Sequence, residues 1–597
     1  MTTSFRISLL FLAGLLGSPV AAQVTRLVSI PSSGGLGDLA SSQPAISADG
    51  RYIAFQSLAT NLVPGDTNDR MDIFVRDLVA GTMEIVSVDS SGAIGNDHSD
   101  KPVISADGRY IAFQSYATNL IPSDPYFDRD VYVHDRVTGT TEKVNLTSTG
   151  GQTVSGTSSG PSISADGRYV AFQSEASDLV TGDTNGKQDV FVRDLVAGTT
   201  ARVSLSTAGI QGDEPSLTAK ISADGRFVAF SSFATNLVLD DGSINTDVFV
   251  HDRLTNETER ASVASDGTSA LGYSTVGAIS ADGRFVAFTS EASNLVANDT
   301  NGRSDTFLRD RHLETTRRVS LNTGEGQGNG STFARSISAD GRFVVMQSDA
   351  RNLVPGDVNG VVDVLVRDRL NNTMQRMSLD SAGAQANVGS FNPVISADGR
   401  WVAFQTSASN LIPVDYNGQP DVFVRDREAA DFSIMCDPGV GGVANCPCSN
   451  PPSGRSRGCD NSSATGGAAL TASGMTELSA DSLVFTTSGE KPTALSIVLQ
   501  GTVFADTGIV YGQGVRCVSG SLKRLYAKSA VGGSITAPDF GAGDQSVSAR
   551  SAAKGDVIQP GQPRWYMVYY RDNTVLGGCP SSSTFNTTQT GMVSWAP

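Results

Sequence analysis

The chain has 597 residues, with 44 Lys and Arg against 61 Asp and Glu for a formal net charge of -17. Nucleic-acid binders cluster cations to neutralise phosphates, so this balance argues against a phosphate-binding surface and makes cations the more natural small partners. Beyond the N-terminal apolar segment, no run approaches the ~18 apolar residues that a membrane-spanning helix needs.

The chain opens with Arg6, an apolar stretch from Ile7 to Leu16, and the small-residue pattern Val20-Ala21-Ala22 before Gln23. That layout predicts a cleavable secretory signal over residues 1-22, a mature protein beginning near Gln23, and a secreted or periplasmic location.

From there the hexapeptide Ile-Ser-Ala-Asp-Gly-Arg occurs seven times, with its Ile at 46, 104, 163, 221, 279, 337 and 395. The spacing is 58 or 59 residues throughout. Such a period belongs to solenoids or propellers, whose units bury their apolar faces only against neighbours. The content of each unit decides between them. A short strand a ends in the hexapeptide; strand b follows the Asp-Gly turn, as in Arg51-Tyr-Ile-Ala-Phe-Gln-Ser57. A polar loop leads to strand c, Asp72-Ile-Phe-Val-Arg-Asp77, and a Gly-containing turn leads to strand d, Met83-Glu-Ile-Val-Ser-Val88. Four antiparallel strands make a propeller blade, so residues 23-430 are expected to form a seven-bladed β-propeller.

The seventh unit lacks strand d, departing from the pattern at Glu428-Ala-Ala-Asp431. The missing strand matches Thr25-Arg-Leu-Val-Ser-Ile30. Closure of the last blade by this N-terminal strand would leave no free sheet edge. Ser-Ala-Asp-Gly-Arg-Tyr-Ile-Ala-Phe followed by Asp-Val-Phe-Val-Arg-Asp resembles the WD40-like (PD40) repeat of the TolB-like family, where the turn usually reads Ser-Pro-Asp-Gly-Lys. The resemblance covers roughly residues 24 to 430 and implies the propeller fold. The Ala in place of Pro and the 58-residue unit depart from the family pattern.

Alternation places the b-c and d-a loops on one rim, where loops on a rigid scaffold carry function. The b-c loops repeat two carboxylates six apart: Asp66/Asp72, Asp124/Asp130, Asp183/Asp189, Asp241/Asp247, Asp299/Asp305, Asp357/Asp363 and Asp415/Asp421. Asn68, Asn185, Asn301, Asn359 and Asn417 stand two residues after the first Asp in five copies. Hard oxygens around a turn suit Ca2+, and those five loops are the candidate metal sites. The bland reading is that the Asp and Asn side chains cap their own loop. On the calcium reading, the second unit, with Tyr126 at that position, and the fourth, with Ser243, would bind more weakly.

Catalytic constellations are thin. His98, His134, His251 and His312 occupy unrelated or strand-terminal positions, and Gly156-Thr-Ser158-Ser-Gly160 matches a nucleophile elbow only formally. The residues after the propeller contain neither Gly-x-Ser-x-Gly nor His, against the peptidase domains that some related propellers precede.

All six Cys (Cys436, Cys446, Cys448, Cys459, Cys517 and Cys579) lie after residue 430, marking a separate domain over 431-597. An even count in an exported chain predicts disulfides. The local clustering predicts Cys517-Cys579, with the other four pairing among themselves. Alternating runs such as Ser482-Leu-Val-Phe-Thr486 and Trp565-Tyr-Met-Val-Tyr-Tyr570 predict a β-sandwich, with half of the latter rings in its core. The chain therefore reads as all-β: a seven-bladed β-propeller with N-terminal strand closure, then a small disulfide-bonded β-sandwich-like domain. Its expected role is non-catalytic binding of a protein or glycan through the b-c and d-a rim. The alternative is an extracellular hydrolase or lyase acting on a polymer.

Overall fold

The computed structural model describes residues 25-595 apart from 125-126, 155, 240-243, 382, 413-414, 428-431, 437, 440-442, 454-456, 474-475, 477, 479-480, 482, 560-561, 573, 575 and 577-583. The expected signal segment, Tyr126, Ser243, Asp241 and Cys579 lie outside the described residues. Among those described, the chain forms two compact units, the first ending at Arg427 and the second beginning after it.

The first unit is a ring of seven four-stranded antiparallel sheets. Blade 1 contains Ser41–Ile46, Tyr52–Ser57, Asp72–Asp77 and Met83–Ile85 as strands a to d. Blade 7 contains Ser390–Ile395, Trp401–Thr406 and Asp421–Asp426, and its strand d is Thr25–Leu27 from the other end of the chain. Thr25, Arg26 and Leu27 pair with Arg425, Val424 and Phe423, as expected for strand closure. Val28 N–H extends the ladder to the Val422 carbonyl at 2.8 Å, and Val28 is fully buried.

The apolar residues alternate along strands b and c, so each sheet offers both faces to its neighbours and the core lies between blades. One such cluster joins Ala54, Ile73 and Val75 of blade 1 to Ile111, Phe113 and Tyr132 of blade 2. The cluster across the closure joins Val28, Phe55 and Phe74 to Ala403, Val422 and Val424.

The hexapeptide turn explains itself in this ring. Ser47 Oγ donates to Asp49 Oδ1 at 2.6 Å, and the same Asp oxygen accepts from Arg51 N–H at 2.9 Å. Gly50 has φ +76°, and a Cβ there would come within 2.1 Å of the Trp401 ring in blade 7. The Ala before the Asp links the blades. Ala48 N–H donates to the Ala106 carbonyl, and the relay continues through Ala165, Ala223, Ala281, Ala339 and Ala397 back to Ala48, every bond between 2.9 and 3.1 Å. Proline has no N–H and could not join this relay. The departure from the Ser-Pro-Asp-Gly pattern is thus what closes a second, backbone ring.

The second unit contains a six-stranded sheet built from Phe432–Cys436, Thr590–Ser594, Pro563–Arg571, Leu495–Gly501 and Lys523–Ser529, with Phe585–Thr587 beside Pro563–Arg571. A three-stranded sheet of Ala469–Ser473, Val484–Ser488 and Thr536–Ala537 shares its core: Leu470 and Phe485 pack with Val498, Tyr566, Val568 and Tyr570. Tyr566 and Tyr570 are fully buried, while Trp565 stacks with Phe504 and Tyr569 meets Tyr511 edge-on. The aromatic run is therefore divided between two packed layers, as its alternation predicts.

The disulfides correct one expectation. Cys517 bonds Cys436, not Cys579, with Cα atoms 6.2 Å apart, while Cys446 bonds Cys459 and Cys448 is also disulfide-bonded. Sequence clustering failed because strand Gly514–Ser519 returns to Cys436 across 81 residues, burying both sulfurs with Val515 and Cys459. Proximity along the chain did not stand for proximity in space.

Candidate functional site: the loop rim and central channel

Every b-c carboxylate pair in the described residues sits against strand d of its own blade. The second Asp opens strand c, and its Oδ1 accepts from the residue two beyond strand d, a Ser in six blades and Asn145 in blade 2: Ser87 to Asp72 at 2.6 Å, Ser204 to Asp189 at 2.5 Å, Ser29 to Asp421 at 2.7 Å and Asn145 to Asp130 at 2.5 Å. The five loop Asn residues serve as caps. Asn68 Nδ2 donates to Asp72 Oδ2 at 2.8 Å and to the Gly95 carbonyl at 2.9 Å, while its Oδ1 accepts from Arg70 N–H at 2.8 Å. Carboxylate and carbonyl oxygens accept only, so the amide orientation is fixed. Asn185 repeats this with Asp189 and Gly212, Asn301 with Asp305 and Gly328, Asn359 with Asp363 and Ala386, and Asn417 with Asp421 and Gly37. Each Asn ties the b-c loop to the d-a loop, and its oxygen is spent on the chain. The residue after it has positive φ, which explains the Gly in four copies; Asp69, at φ 52°, takes the position in the fifth.

Sequence reasoning missed the partner of the carboxylates themselves. In blade 3, Arg202 from strand d stands 3.0 Å from Asp183 and 3.1 Å from Asp189. Arg318 does the same between Asp299 and Asp305 at 3.0 and 3.3 Å, and Arg376 between Asp357 and Asp363 at 3.2 Å each. In blade 2, Lys143 Nζ lies 3.2 Å from Asp124 and 2.7 Å from Asp130; in blade 4, Arg260 lies 3.9 Å from Asp247. Blades 1 and 7 carry Ile85 and Leu27 at this register. Burial pushes loop carboxyls upward there, as it does for Asp130, Asp183, Asp299 and Asp363 in the other blades, but for Asp66, Asp72, Asp415 and Asp421 no Lys or Arg opposes it; Asp72 is raised to about 6. The signal was present in the sequence: Arg and Ser recur two apart in strand d, the period that places both on one sheet face.

Ser158 and three of the four histidines are occupied structurally. Ser158 Oγ is buried and donates to Ser174 Oγ at 2.9 Å; His98 Nδ1 accepts from Met71 N–H at 2.9 Å. His134 and His251 each meet a strand-d Thr at 2.9 Å, and burial lowers both imidazoles, His251 to about 4.

The feature that breaks the sevenfold repetition is the central channel, a cavity of about 300 Å³ lined by strand a of all seven blades. Its wall is knitted by strand-b side chains accepting from the next blade: Lys101 N–H to Gln56 at 2.9 Å, Thr218 N–H to Gln173 at 2.7 Å, and Ala334 N–H to Thr289 at 2.9 Å. In blades 1, 2, 4 and 7 a bulge at this point puts Gln43, Lys101, Thr218 and Asn392 at φ 50–53°. In blade 6 the bulge lies between Ala334 and Ser336, so Arg335 is the extra residue. Bulges re-aim side chains, and Lys101 and Arg335 lie at them, while Lys220, back in register opposite Ala229, lines the same cavity. None of the three lies within ion-pairing distance of a carboxylate among the described residues. Enclosure, with Arg335 and Lys101 beside it, pulls the Lys220 ammonium below its usual value, and burial lowers the Arg335 guanidinium. Asp100 precedes Lys101; its carboxyl is raised by burial, against the pull of the neighbouring Gln114 amide, Lys101 and Arg129. Phe333 and Phe391, at the second position of strand a in blades 6 and 7, are partly exposed.

Neither a protein-family model nor a curated protein matches the chain. Solved structures similar to it include a protein assigned as TolB from Agrobacterium tumefaciens, 16% identical over 47% of this chain and 80% of that one, with TM-score 0.29. TolB from Acinetobacter baumannii is 16% identical over 57% of this chain and 64% of its own, with TM-score 0.31. An oligogalacturonate lyase in complex with manganese is 11% identical over 68% of this chain and 97% of its own, with TM-score 0.40. The likeness is one of propeller fold.

Proposed function

We propose that the protein is an exported binding propeller that takes an acidic segment of a protein or glycan on its b-c and d-a rim and seats a negatively charged group in the central channel. The observation that carries this reading is the meeting of Lys101, Lys220 and Arg335 in one cavity of a chain whose net charge is -17. Three cations in a partly desolvated channel repel one another, and a bound anion relieves that cost. The volume is at the lower end of small-ligand cavities, about 300–1,000 Å³, enough for one sugar-sized or side-chain-sized group. The disulfides of the second unit fit an oxidising compartment outside the cytoplasm. Among the described residues, no helix is long and apolar enough to cross a membrane.

A binding reading is preferred to a hydrolase or lyase because the carboxylates repeat with the fold and, in blades 2, 3, 5 and 6, are held by a cation from their own strand d. The test is a screen of the full chain against acidic and neutral glycans and peptides, with the length of each polymer measured after incubation. Retention of uronate-bearing glycans or Glu-rich peptides, weakened by salt, supports the proposal. Binding confined to neutral ligands contradicts it, and shortened polymer would replace it with the hydrolase or lyase reading.

A further inference from the structure

We propose that blades 1 and 7 each bind a divalent cation between the two carboxylates of the b-c loop, at Asp66/Asp72 and Asp415/Asp421. The five intervening blades define the role of the position. In blade 2 the occupant is a single ammonium nitrogen, Lys143 Nζ, within 3.2 Å of both carboxylates. In blades 3, 5 and 6 it is a guanidinium within 3.3 Å of both. The pocket is therefore a cation site by construction, filled from within the chain. Blades 1 and 7 keep the same carboxylates, the same Asn bridge and the same Ser donor to the second Asp. They replace the cation with Ile85 and Leu27, whose side chains are too short to reach and carry no charge.

A second observation points to a ligand. Asp66 is only 6% exposed, and its Oδ1 has no hydrogen-bond partner. The Asn68 N–H meets the Asp66 carboxyl, but no Lys or Arg beside it balances its charge, and a buried carboxylate oxygen left without a partner is costly. Asp415 is 8% exposed in the corresponding position. Two hard carboxylates in one small turn suit calcium, which accepts monodentate or bidentate carboxylates and completes its shell with water or loop carbonyls. The five loops chosen from the sequence on their Asn are thus reduced to two, because Asn caps the loop in every one of them, whereas the strand-d residue decides whether a cation has room.

Calorimetric titration of calcium into the chelator-treated full chain tests this. The expected stoichiometry is near two, with a rise in melting temperature. Ile85→Arg, which copies blades 3 to 6, should lower it to near one, and Ile85→Arg with Leu27→Arg should abolish it while leaving the protein folded without calcium. Should the double variant not fold, Asp66→Asn serves instead and should remove one site. Absence of calcium heat in the wild type would overturn the proposal, as would undiminished stoichiometry in the arginine variants or a stoichiometry near five.

Discussion

Single atoms decide the register of this propeller. The Ala N–H of each turn joins a seven-membered relay, so Ala223→Pro should remove one bond, leave the Ala281 carbonyl unpaired, and cost about 1–2 kcal/mol in denaturant unfolding. An unchanged midpoint would mean that the relay carries no weight. His251 supplies a pH handle. It is 2% exposed and held neutral, its value lowered to about 4 by burial. The unfolded chain takes up a proton near pH 6.5 while the folded one does not, so stability is lost as pH falls from about 6.5 toward about 4. In blade 3 the equivalent residue is Arg193, whose Nη1 meets the Thr200 hydroxyl at 3.2 Å. His251→Arg should therefore flatten the stability profile in that window by up to roughly 3 kcal/mol. His134 in blade 2 adds slope of the same sign, whereas Asp72, raised to about 6 by burial, adds slope of the opposite sign as its folded-state carboxyl takes up a proton first. The Asp194 and Asp252 carboxyls act in the same direction as the histidines, at lower pH: hydrogen bonds from Arg168 and Arg226 lower each to about 2, and the stability they contribute is lost as pH falls from the ordinary carboxylate value through about 2.

At the scale of elements, the strand Thr25–Leu27 matters far beyond its length. Its removal exposes the edge of Asp421–Asp426, uncovers fully buried Val28, and breaks the Ser29 to Asp421 bond. Deleting residues 25-30 should cost about 3 kcal/mol or more, judged from apolar burial alone. Truncating after Arg427, by contrast, should leave the propeller's thermal midpoint nearly unchanged. Equal losses from the two deletions would refute the asymmetry. The strand order was legible in the sequence because period-2 runs and Asp-Gly turns recur seven times, and because Thr25-Arg-Leu-Val-Ser supplies what Glu428-Ala-Ala-Asp431 lacks. The disulfide of Cys517 was not legible, since the placing of Cys436 depends on a pairing between segments far apart in sequence, Phe432–Cys436 with Thr590–Ser594. The strand-d cations stood in plain view beside the Asp loops, but linking them required the register of Phe191 with Arg202 and its equivalents.

For the whole molecule, repetition and its violations divide the labour. What recurs in all seven blades serves the ring: the turn relay, the bidentate pairs such as Arg51 with Asp77, and the second Asp of each loop. What differs between blades is where the proposed recognition enters. Lys101, Lys220 and Arg335 occupy different strand-a positions in blades 2, 4 and 6, and only the closed ring brings them to one channel. That convergence was invisible to a blade-by-blade alignment. The most direct measurement is the affinity of uronic-acid oligosaccharides and a poly-glutamate peptide for the wild-type chain and for a Lys220→Gln, Arg335→Gln variant at low and physiological salt. The account predicts at least tenfold weaker binding of the acidic ligand by the variant, a shallower salt dependence, and a thermal midpoint no lower than the wild type's, because two mutually repelling charges are removed. Equal affinity of the two proteins at both salt concentrations would contradict it.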